Sequence, residues 1–229
     1  CIRDSNNSSL EEENGMVIER RFTASGKDPF GSFNWIEMDV EIRNPDGSMA
    51  ESIHGVKLPS GFSGVPGKVL AQKYLRKAGV PLYLRKVPEE GVPVWLQRSE
   101  PDHEKLQSVD KNERYGGEID GRSLFRRLAG TWTYWGWKYG YFAREADALS
   151  YFDEMCYLIA SQRSAPNSPQ WFNTGLHWAY GIEGPAQGHH YIDPSTGELE
   201  LSINAYEHPQ PHACFCLLYT SPSPRDVEE

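Results

Sequence analysis

The nine residues 208–216, HPQPHACFC, contain two prolines, two histidines and two cysteines. Proline fixes its own backbone φ angle, a thiolate is both a nucleophile and a metal ligand, and imidazole is a common metal ligand. We therefore expect a rigid, reactive segment. It has two interpretations, which are a redox-active cysteine on a strand that lines a nucleotide site and a cluster of metal ligands.

The metal interpretation takes four side chains with the spacing H-x3-H-x-C-x-C as ligands, namely His208, His212, Cys214 and Cys216. Zinc favours such nitrogen and sulfur donors, but structural zinc sites usually take two pairs of ligands from separated turns. Pro209 and Pro211 would also stiffen the backbone where it has to wrap around the ion. We predict no metal site here, and we interpret His189 and His190 as solvated residues of a hairpin.

The two cysteines of this segment are poorly spaced for a local disulfide. On a strand, Cys214 and Cys216 would point to the same face about 6.5 Å apart, whereas the Cβ atoms of a disulfide lie roughly 3.5 to 4.5 Å apart. The strand would have to break for them to pair. A single cysteine such as Cys214 is more often a buried structural thiol than a reactive one, so the residue type alone favours packing.

A second segment, residues 167–175 with the sequence NSPQWFNTG, has polar groups held between prolines. Pro166 and Pro169 fix the backbone around Ser168, whose hydroxyl could then be held in place for a phosphate or a ribose hydroxyl, and oriented binding needs donors fixed in advance. The alternative is a helix-to-strand turn that Asn167 and Ser168 cap. The two interpretations are compatible if Asn167 caps the turn while Ser168 faces a ligand.

Composition excludes several classes of protein. The 229 residues are 38% hydrophobic and 24% charged, which is typical of a globular protein, and no apolar run approaches the roughly 18 residues of a membrane span. The net charge of -9 argues against a nucleic-acid polymer as partner, although a single nucleotide held by backbone amides is compatible with it. Four cysteines and no signal peptide predict a reducing cytoplasm.

The elements that must position these segments are read from periodicity and turn residues. Residues 16–43 alternate in character between turn signals and predict short strands and turns. Residues 66–78 repeat at helical spacing before Gly79 and Pro81 and predict a helix. Residues 80–117 are polar and rich in proline, which predicts a long loop or connector. Residues 143–163 form the clearest helix, with one apolar stripe that includes Cys156, interpreted as a buried core thiol. Residues 190–201 predict a hairpin.

Between these elements lie a short predicted helix, residues 123–130, and an aromatic run, residues 132–142. The run could stack on bases or sugars, but it holds a single cation, Lys138, and its glycines permit close packing. Core and interdomain packing is the favoured interpretation. Arg126 and Arg127 are interpreted as a solvated face of the helix.

Five segments together resemble one family, the adenosylcobalamin-dependent (class II) ribonucleotide reductases. Besides residues 208–216 and 167–175, they are GVKLP at 55–59, LAQKYLRKAGVP at 70–81 and WTYWGWKYGYF at 132–142. The resemblance covers roughly residues 16–215 and corresponds to the N-terminal part of the family's chain. It implies an α+β fold, a partly helical N-terminal region that leads into the first strand of a ten-stranded α/β barrel, truncated here.

The resemblance also implies an activity and roles for residues. The complete protein would reduce ribonucleoside diphosphates through a thiyl radical generated by adenosylcobalamin, with thioredoxin as reductant, and this fragment alone would be inactive. ACF at residues 213–215 matches the segment with the family's first redox cysteine, so Cys214 is catalytic and Ala213, Cys214 and Ser168 contact substrate. The second redox cysteine and the radical cysteine lie beyond this chain. Allosteric nucleotides and a homo-oligomer are compatible with the family, and no residue is assigned to the cobalamin.

The two ends of the chain differ from its middle. Residues 1–5, CIRDS, and residues 217–226, LLYTSPSPRD, resemble translated adaptor sequence. Cys216, where the family usually has an aliphatic residue, then lies at the junction. We predict four parts, which are foreign sequence at 1–5, an N-terminal region at 6–165, the start of the catalytic barrel at 166–216 and a foreign tail at 217–229.

Overall fold

A computed structural model describes residues 15–43, 46, 48–186, 188, 190–193 and 195–209. Its first element is an antiparallel hairpin of two strands, β1 Trp35–Arg43 and β2 Met49–Pro59, with Trp35 opposite Pro59. The prediction of short strands and turns over residues 16–43 is thus confirmed, with turns and bends between residues 21 and 33 and the strand at Trp35–Arg43. Val40, Val56 and Leu58 on one face of the hairpin are completely buried. Burial of alternate residues is typical of a sheet with one face packed on the core.

Helix α1, Val65–Lys73, follows a 3-10 turn at Ser60–Phe62 and has Pro66 in its first turn, as predicted. It ends at Tyr74 and not at Ala78. The backbone of Arg76 pairs instead with Glu118, because the Glu118 carboxylate accepts from the Arg76 N–H at 2.8 Å and the Glu118 N–H donates to the Arg76 carbonyl at 2.7 Å. A distant residue therefore takes the hydrogen bonds that would have continued the helix.

Residues 80–117 are not the unpaired loop that their prolines suggested. Val80–Pro81 (β3) pairs with Tyr115–Gly116 (β6), and Leu84–Lys86 (β4) pairs with Ser99–Pro101 (β5). Between them lies a short helix α2, His103–Gln107, whose first turn is capped by the Asp102 carboxylate. The ladders are only two or three residues long, too short to give a periodic signal in the sequence.

Two long helices form the centre of the fold. α3 spans Gly121–Lys138, so the aromatic run continues the predicted helix, and α4 spans Glu145–Ala160, as predicted. They bury Phe125, Leu128 and Ala129 of α3 with Cys156 and Ile159 of α4 in one core. Cys156 is fully buried, which confirms its interpretation as a core thiol.

The last described elements are short. α5 is Ser168–Asn173, α6 is Leu176–Tyr180, and β7 His190–Ile192 pairs with β8 Leu199–Leu201 in the predicted hairpin. The described residues mix helices with four two-stranded sheets and form no closed barrel. The segment 208–216, interpreted as the first strand of the barrel, lies outside the described residues from position 210 onward. In the part of the chain that the structure describes, no helix has the length and apolar character needed to cross a membrane.

Candidate functional site

The structure places one of the three predicted substrate contacts. Ser168 is described, whereas Ala213 and Cys214 lie outside the described residues, together with His212 and Cys216. His208, where the HPQPHACFC segment begins, stacks on Tyr191 with ring centroids 3.8 Å apart and the rings nearly parallel. The candidate site is therefore built from the Ser168 side.

Ser168 is the first residue of α5 and its side chain is exposed. Its hydroxyl lies 3.0 Å from the hydroxyl of Tyr74, the residue that ends α1. Asn167 occupies the N-cap position, but its side chain makes no capping hydrogen bond. The predicted helix-to-strand turn is thus wrong, because the segment is itself a short helix that another helix follows.

Aromatic packing holds the same segment against α1. The Tyr74 ring stacks on Trp171 with centroids 5.4 Å apart and also contacts Phe172 at 5.4 Å. The Trp171 indole N–H donates to the carbonyl of Pro166 at 2.9 Å. Residues on both sides of Ser168 are therefore held by packing and by a hydrogen bond.

A buried ion pair lies beneath α5. Nε and Nη2 of Arg127 donate to the two carboxylate oxygens of Glu118 at 2.9 and 3.1 Å, and both side chains are fully shielded from solvent. Arg127 also donates to the backbone carbonyls of Thr174 at 2.5 Å and Trp171 at 3.2 Å. The prediction that Arg127 lies on a solvated helix face is wrong.

Glu118 has two further donors. Its carboxylate accepts from the Tyr180 hydroxyl of α6 at 2.6 Å and from the backbone N–H of Arg76. Burial, followed by the negative charge of Glu118, raises the pKa of Tyr180 well above its usual value, so the phenol stays protonated and donates. Four donors thus compensate one buried carboxylate, which is the condition for tolerating a charge in a core.

The backbone at Gly175 lies directly against α3, beside the side chain of Arg127. Its φ angle is +83°, and a β-carbon placed there would lie 2.5 Å from Cγ of Arg127 and 2.6 Å from Oγ1 of Thr131. Both the left-handed conformation and the close approach require glycine. The final glycine of NSPQWFNTG therefore lets α5 and α6 lie directly on α3.

The aromatic run of α3 lines a cavity. The aromatic side chains of the run within α3 are half-buried. The cavity has a volume of about 650 Å³ and lies between α3, α6 and the β7–β8 hairpin. Glu89 at its edge accepts from the Tyr134 hydroxyl and from Lys138. Burial lowers the pKa values of His177 and His208 in its wall, which favours neutral imidazoles.

Metal ligation has no structural basis in the described part of the chain. Within residues 15–209, apart from the six positions there that the structure leaves undescribed, no three His, Cys, Asp or Glu side chains are grouped as metal ligands. Three of the four ligands in the metal interpretation lie outside this part, at His212, Cys214 and Cys216. His208, the fourth, is stacked on a tyrosine ring.

Sequence reasoning missed three residues of the site, Tyr74, Glu118 and Arg127. A signal for Arg127 was present in the sequence, because Leu124, Arg127, Leu128 and Thr131 follow the i, i+3, i+4, i+7 spacing of one helix face. That spacing puts the arginine on the inner face of α3. The sequence around Glu118 offers no such indication of its partner.

Comparison with known proteins places the chain in one family. The profile described as class II vitamin B12-dependent ribonucleotide reductase matches residues 37–162, more than half of the chain. Vitamin B12-dependent ribonucleotide reductases of Bradyrhizobium diazoefficiens and Agrobacterium fabrum are each 56% identical over 200 residues, 87% of this chain and 16% of the relative. One from Rhodopirellula baltica is 27% identical over 202 residues, 88% of this chain and 16% of the relative.

The chain thus spans about one sixth of the length of the relatives it matches. The matched residues, 37–162, include nearly all of the hairpin together with α1, α3 and α4, so the similarity covers the positions of Tyr74, Glu118 and Arg127. These comparisons give no support to the alternative function, a non-enzymatic module that would bind a metal through residues 208–216 or a ligand through the aromatic run.

Proposed function

Because the chain belongs to the class II vitamin B12-dependent ribonucleotide reductases, we propose that it is the N-terminal portion of an enzyme that reduces ribonucleoside diphosphates to deoxyribonucleotides. The observation that carries this proposal is the match over residues 37–162, with 56% identity to two such reductases. The portion supplies one wall of the substrate site and one redox cysteine, and it is inactive without the rest of the protein.

Ser168 is proposed to hold the substrate. Its hydroxyl is exposed, and Tyr74 restrains it from one side at 3.0 Å. A restrained hydroxyl can accept from or donate to a ribose hydroxyl or a phosphate oxygen with little loss of side-chain freedom. Ala213 and Cys214 are proposed to contact the same substrate from the segment that follows Pro209.

Cys214 is proposed to supply one of two electrons. Replacing the 2′-hydroxyl of the ribose by hydrogen releases water and consumes two electrons, which two thiols provide by closing to a disulfide. The partner thiol and the radical cysteine belong to the part of the enzyme beyond this chain. A dithiol reductant of the thioredoxin class then reopens the disulfide by thiol exchange. This reducing chemistry agrees with a cytoplasmic location.

Adenosylcobalamin is proposed as the cofactor of the complete enzyme, in which it supplies the radical. The cavity that the aromatic run of α3 lines, about 650 Å³, has the size of a pocket for a drug-sized ligand. A corrinoid with its nucleotide tail is larger than such ligands. We therefore assign none of the described residues to the cobalamin, which the rest of the complete protein would bind. Regulation by nucleotides and self-association are further proposals for the complete enzyme.

The test is Cys214→Ser in the complete reductase. A hydroxyl cannot form the disulfide, so multiple turnover with thioredoxin should be abolished, while substrate affinity should remain because Ser168 is unchanged. Steady-state formation of deoxyribonucleotide and equilibrium binding of the ribonucleotide measure the two effects. Near-normal turnover of the variant would show that Cys214 only packs, and the redox assignment would be withdrawn.

A further inference from the structure

We propose that Arg127, oriented by Glu118, is a positioning residue for substrate binding, because it fixes the C-terminal end of the helix that begins with Ser168. This inference rests on the proposed function, since it assumes that Ser168 contacts the ribonucleotide. Arg127 does not itself touch substrate, because its side chain is entirely buried beneath α5.

Helix α5 is too short to hold its own position. It has six residues, Ser168–Asn173, and isolated helices shorter than roughly 12 residues are marginal in water. The last four carbonyls of any helix lack partners within the helix. The direction in which Ser168 points therefore depends on what holds both ends of α5.

Helix α5 is hydrogen-bonded to the rest of the protein at each of its ends. At the start of α5, the Tyr74 hydroxyl lies 3.0 Å from Oγ of Ser168. At the other end, two nitrogens of one guanidinium donate to the carbonyls of Trp171 and Thr174. A cation at the C-terminal end of a helix is also favoured by the helix dipole. Removing Arg127 would leave the C-terminal end of α5 without these two hydrogen bonds.

The contacts made at position 127 require an arginine side chain. A buried ion pair can often be replaced by apolar residues without loss of stability, so packing alone does not require one. Only the planar guanidinium supplies a bidentate contact to Glu118 together with donors in other directions. Glu118 is in turn fixed by Tyr180 of α6 and by the backbone of Arg76. The ion pair therefore fixes the position of α5 relative to α3 and α6.

The test uses the complete reductase and measures kcat, KM for the ribonucleotide and the melting temperature. Arg127→Met removes both carbonyl contacts, and the double variant Glu118→Gln with Arg127→Met removes the uncompensated carboxylate as well, in case the single variant does not fold. We expect KM to rise on the order of tenfold in either variant, with kcat within about threefold of wild type. Arg127→Lys keeps the charge without the planar fork and should restore KM only in part.

Two control variants separate positioning from general destabilisation. Arg126→Met removes the neighbouring arginine, whose side chain is half exposed and lies 3.4 Å from Asp28, and should leave KM unchanged. Val40→Ala leaves a cavity in the same core from β1, and should lower the melting temperature without raising KM. Such a split between KM and stability would not arise if Arg127 only stabilised the fold.

The outcomes also separate this inference from the proposed function. If the wild-type complete protein reduces no ribonucleotide, the proposed function fails and the inference fails with it. If the wild type is active and Ser168→Ala raises KM, while the Arg127→Met and double variants that fold keep a wild-type KM, the proposed function stands and the positioning role is wrong. A rise in KM for Val40→Ala equal to that for Arg127→Met would also overturn it.

Discussion

The indole ring of Trp178 in α6 lies directly against the backbone of Gly130 in α3, so that a β-carbon on Gly130 would stand 2.2 Å from Cη2 of the ring. The same indole donates its N–H to the carbonyl of Leu96 at 2.9 Å. The ring therefore cannot move away without breaking that hydrogen bond. The absence of a side chain at Gly130 sets the distance between α3 and α6, the helix that bears Tyr180.

Gly130→Ala should destabilise the chain. Alanine in a helix interior is favoured over glycine by about 1 kcal/mol, but the clash with Trp178 requires overpacking that typically costs about 1 to 3 kcal/mol. The expected net result is a lower free energy of unfolding, measured by urea denaturation. Gly116→Ala is the control, because a β-carbon there would meet no atom within 4 Å. Equal stability of the two variants would contradict the packing described.

Tyr74→Phe should separate the hydroxyl contact from the ring contact. The phenyl ring keeps its stacking on Trp171, and only the hydrogen bond to Ser168 is lost. We expect a stability loss of about 0.5 to 1.5 kcal/mol, the net value of one hydrogen bond, and in the complete enzyme a higher KM for the ribonucleotide. Tyr74→Leu, which also loses the stacking, should be markedly less stable. A Phe variant with unchanged KM would show that Ser168 needs no restraint from Tyr74.

Glu154 in α4 should make stability depend on pH. Its carboxylate accepts from the hydroxyl of Thr23 at 2.6 Å and from the backbone N–H groups of Phe22 and Thr23. Burial acts to raise the pKa of Glu154, but these hydrogen bonds outweigh burial and lower it from the usual value of 4.5. The stabilisation is therefore fully present above that value and is lost as the pH falls through the lower pKa of the folded state.

The experiment compares wild type with Glu154→Gln in urea at a series of pH values. The difference in free energy of unfolding should be largest at neutral pH and should shrink as the solution is acidified below about pH 4.5. Glu198→Gln, on the exposed β7–β8 hairpin, should show a difference near zero throughout. A difference between wild type and Glu154→Gln that does not change with pH would mean that the carboxylate charge is not what holds residues 22 and 23.

Cys156 should be inert towards alkylating reagents while the protein is folded. Its side chain is fully buried, and burial raises the pKa of the thiol well above its usual value, so little thiolate forms and none is accessible. Iodoacetamide treatment followed by peptide mapping should leave this cysteine unmodified until urea is added. Cys214, which the proposed function requires to be open to a reductant, should be modified first. Early labelling of Cys156 would contradict its place in the core.

The sequence by itself determined the elements whose signals are local. The helix at 143–163 and the hairpin at 190–201 are found close to their predicted bounds, because helical periodicity and turn residues act within a few positions of the chain. The core position of Cys156 followed from the same stripe. The family resemblance likewise rested on short segments that can be read without a structure.

Only the tertiary structure decided which side chains share the site. Ser168 contacts Tyr74, which is 94 positions away in the sequence, and Arg127 donates to the carbonyl of Thr174, which is 47 positions away. The short ladders of residues 80–117 and the early end of α1 also depend on partners distant in sequence. Such contacts form only when the elements are packed, because the free energy that favours them comes from burial shared by several elements. The carbonyl partners of Arg127, at Trp171 and Thr174, lie more than 40 positions away in the sequence, and so the arginine could be mistaken for a solvated residue.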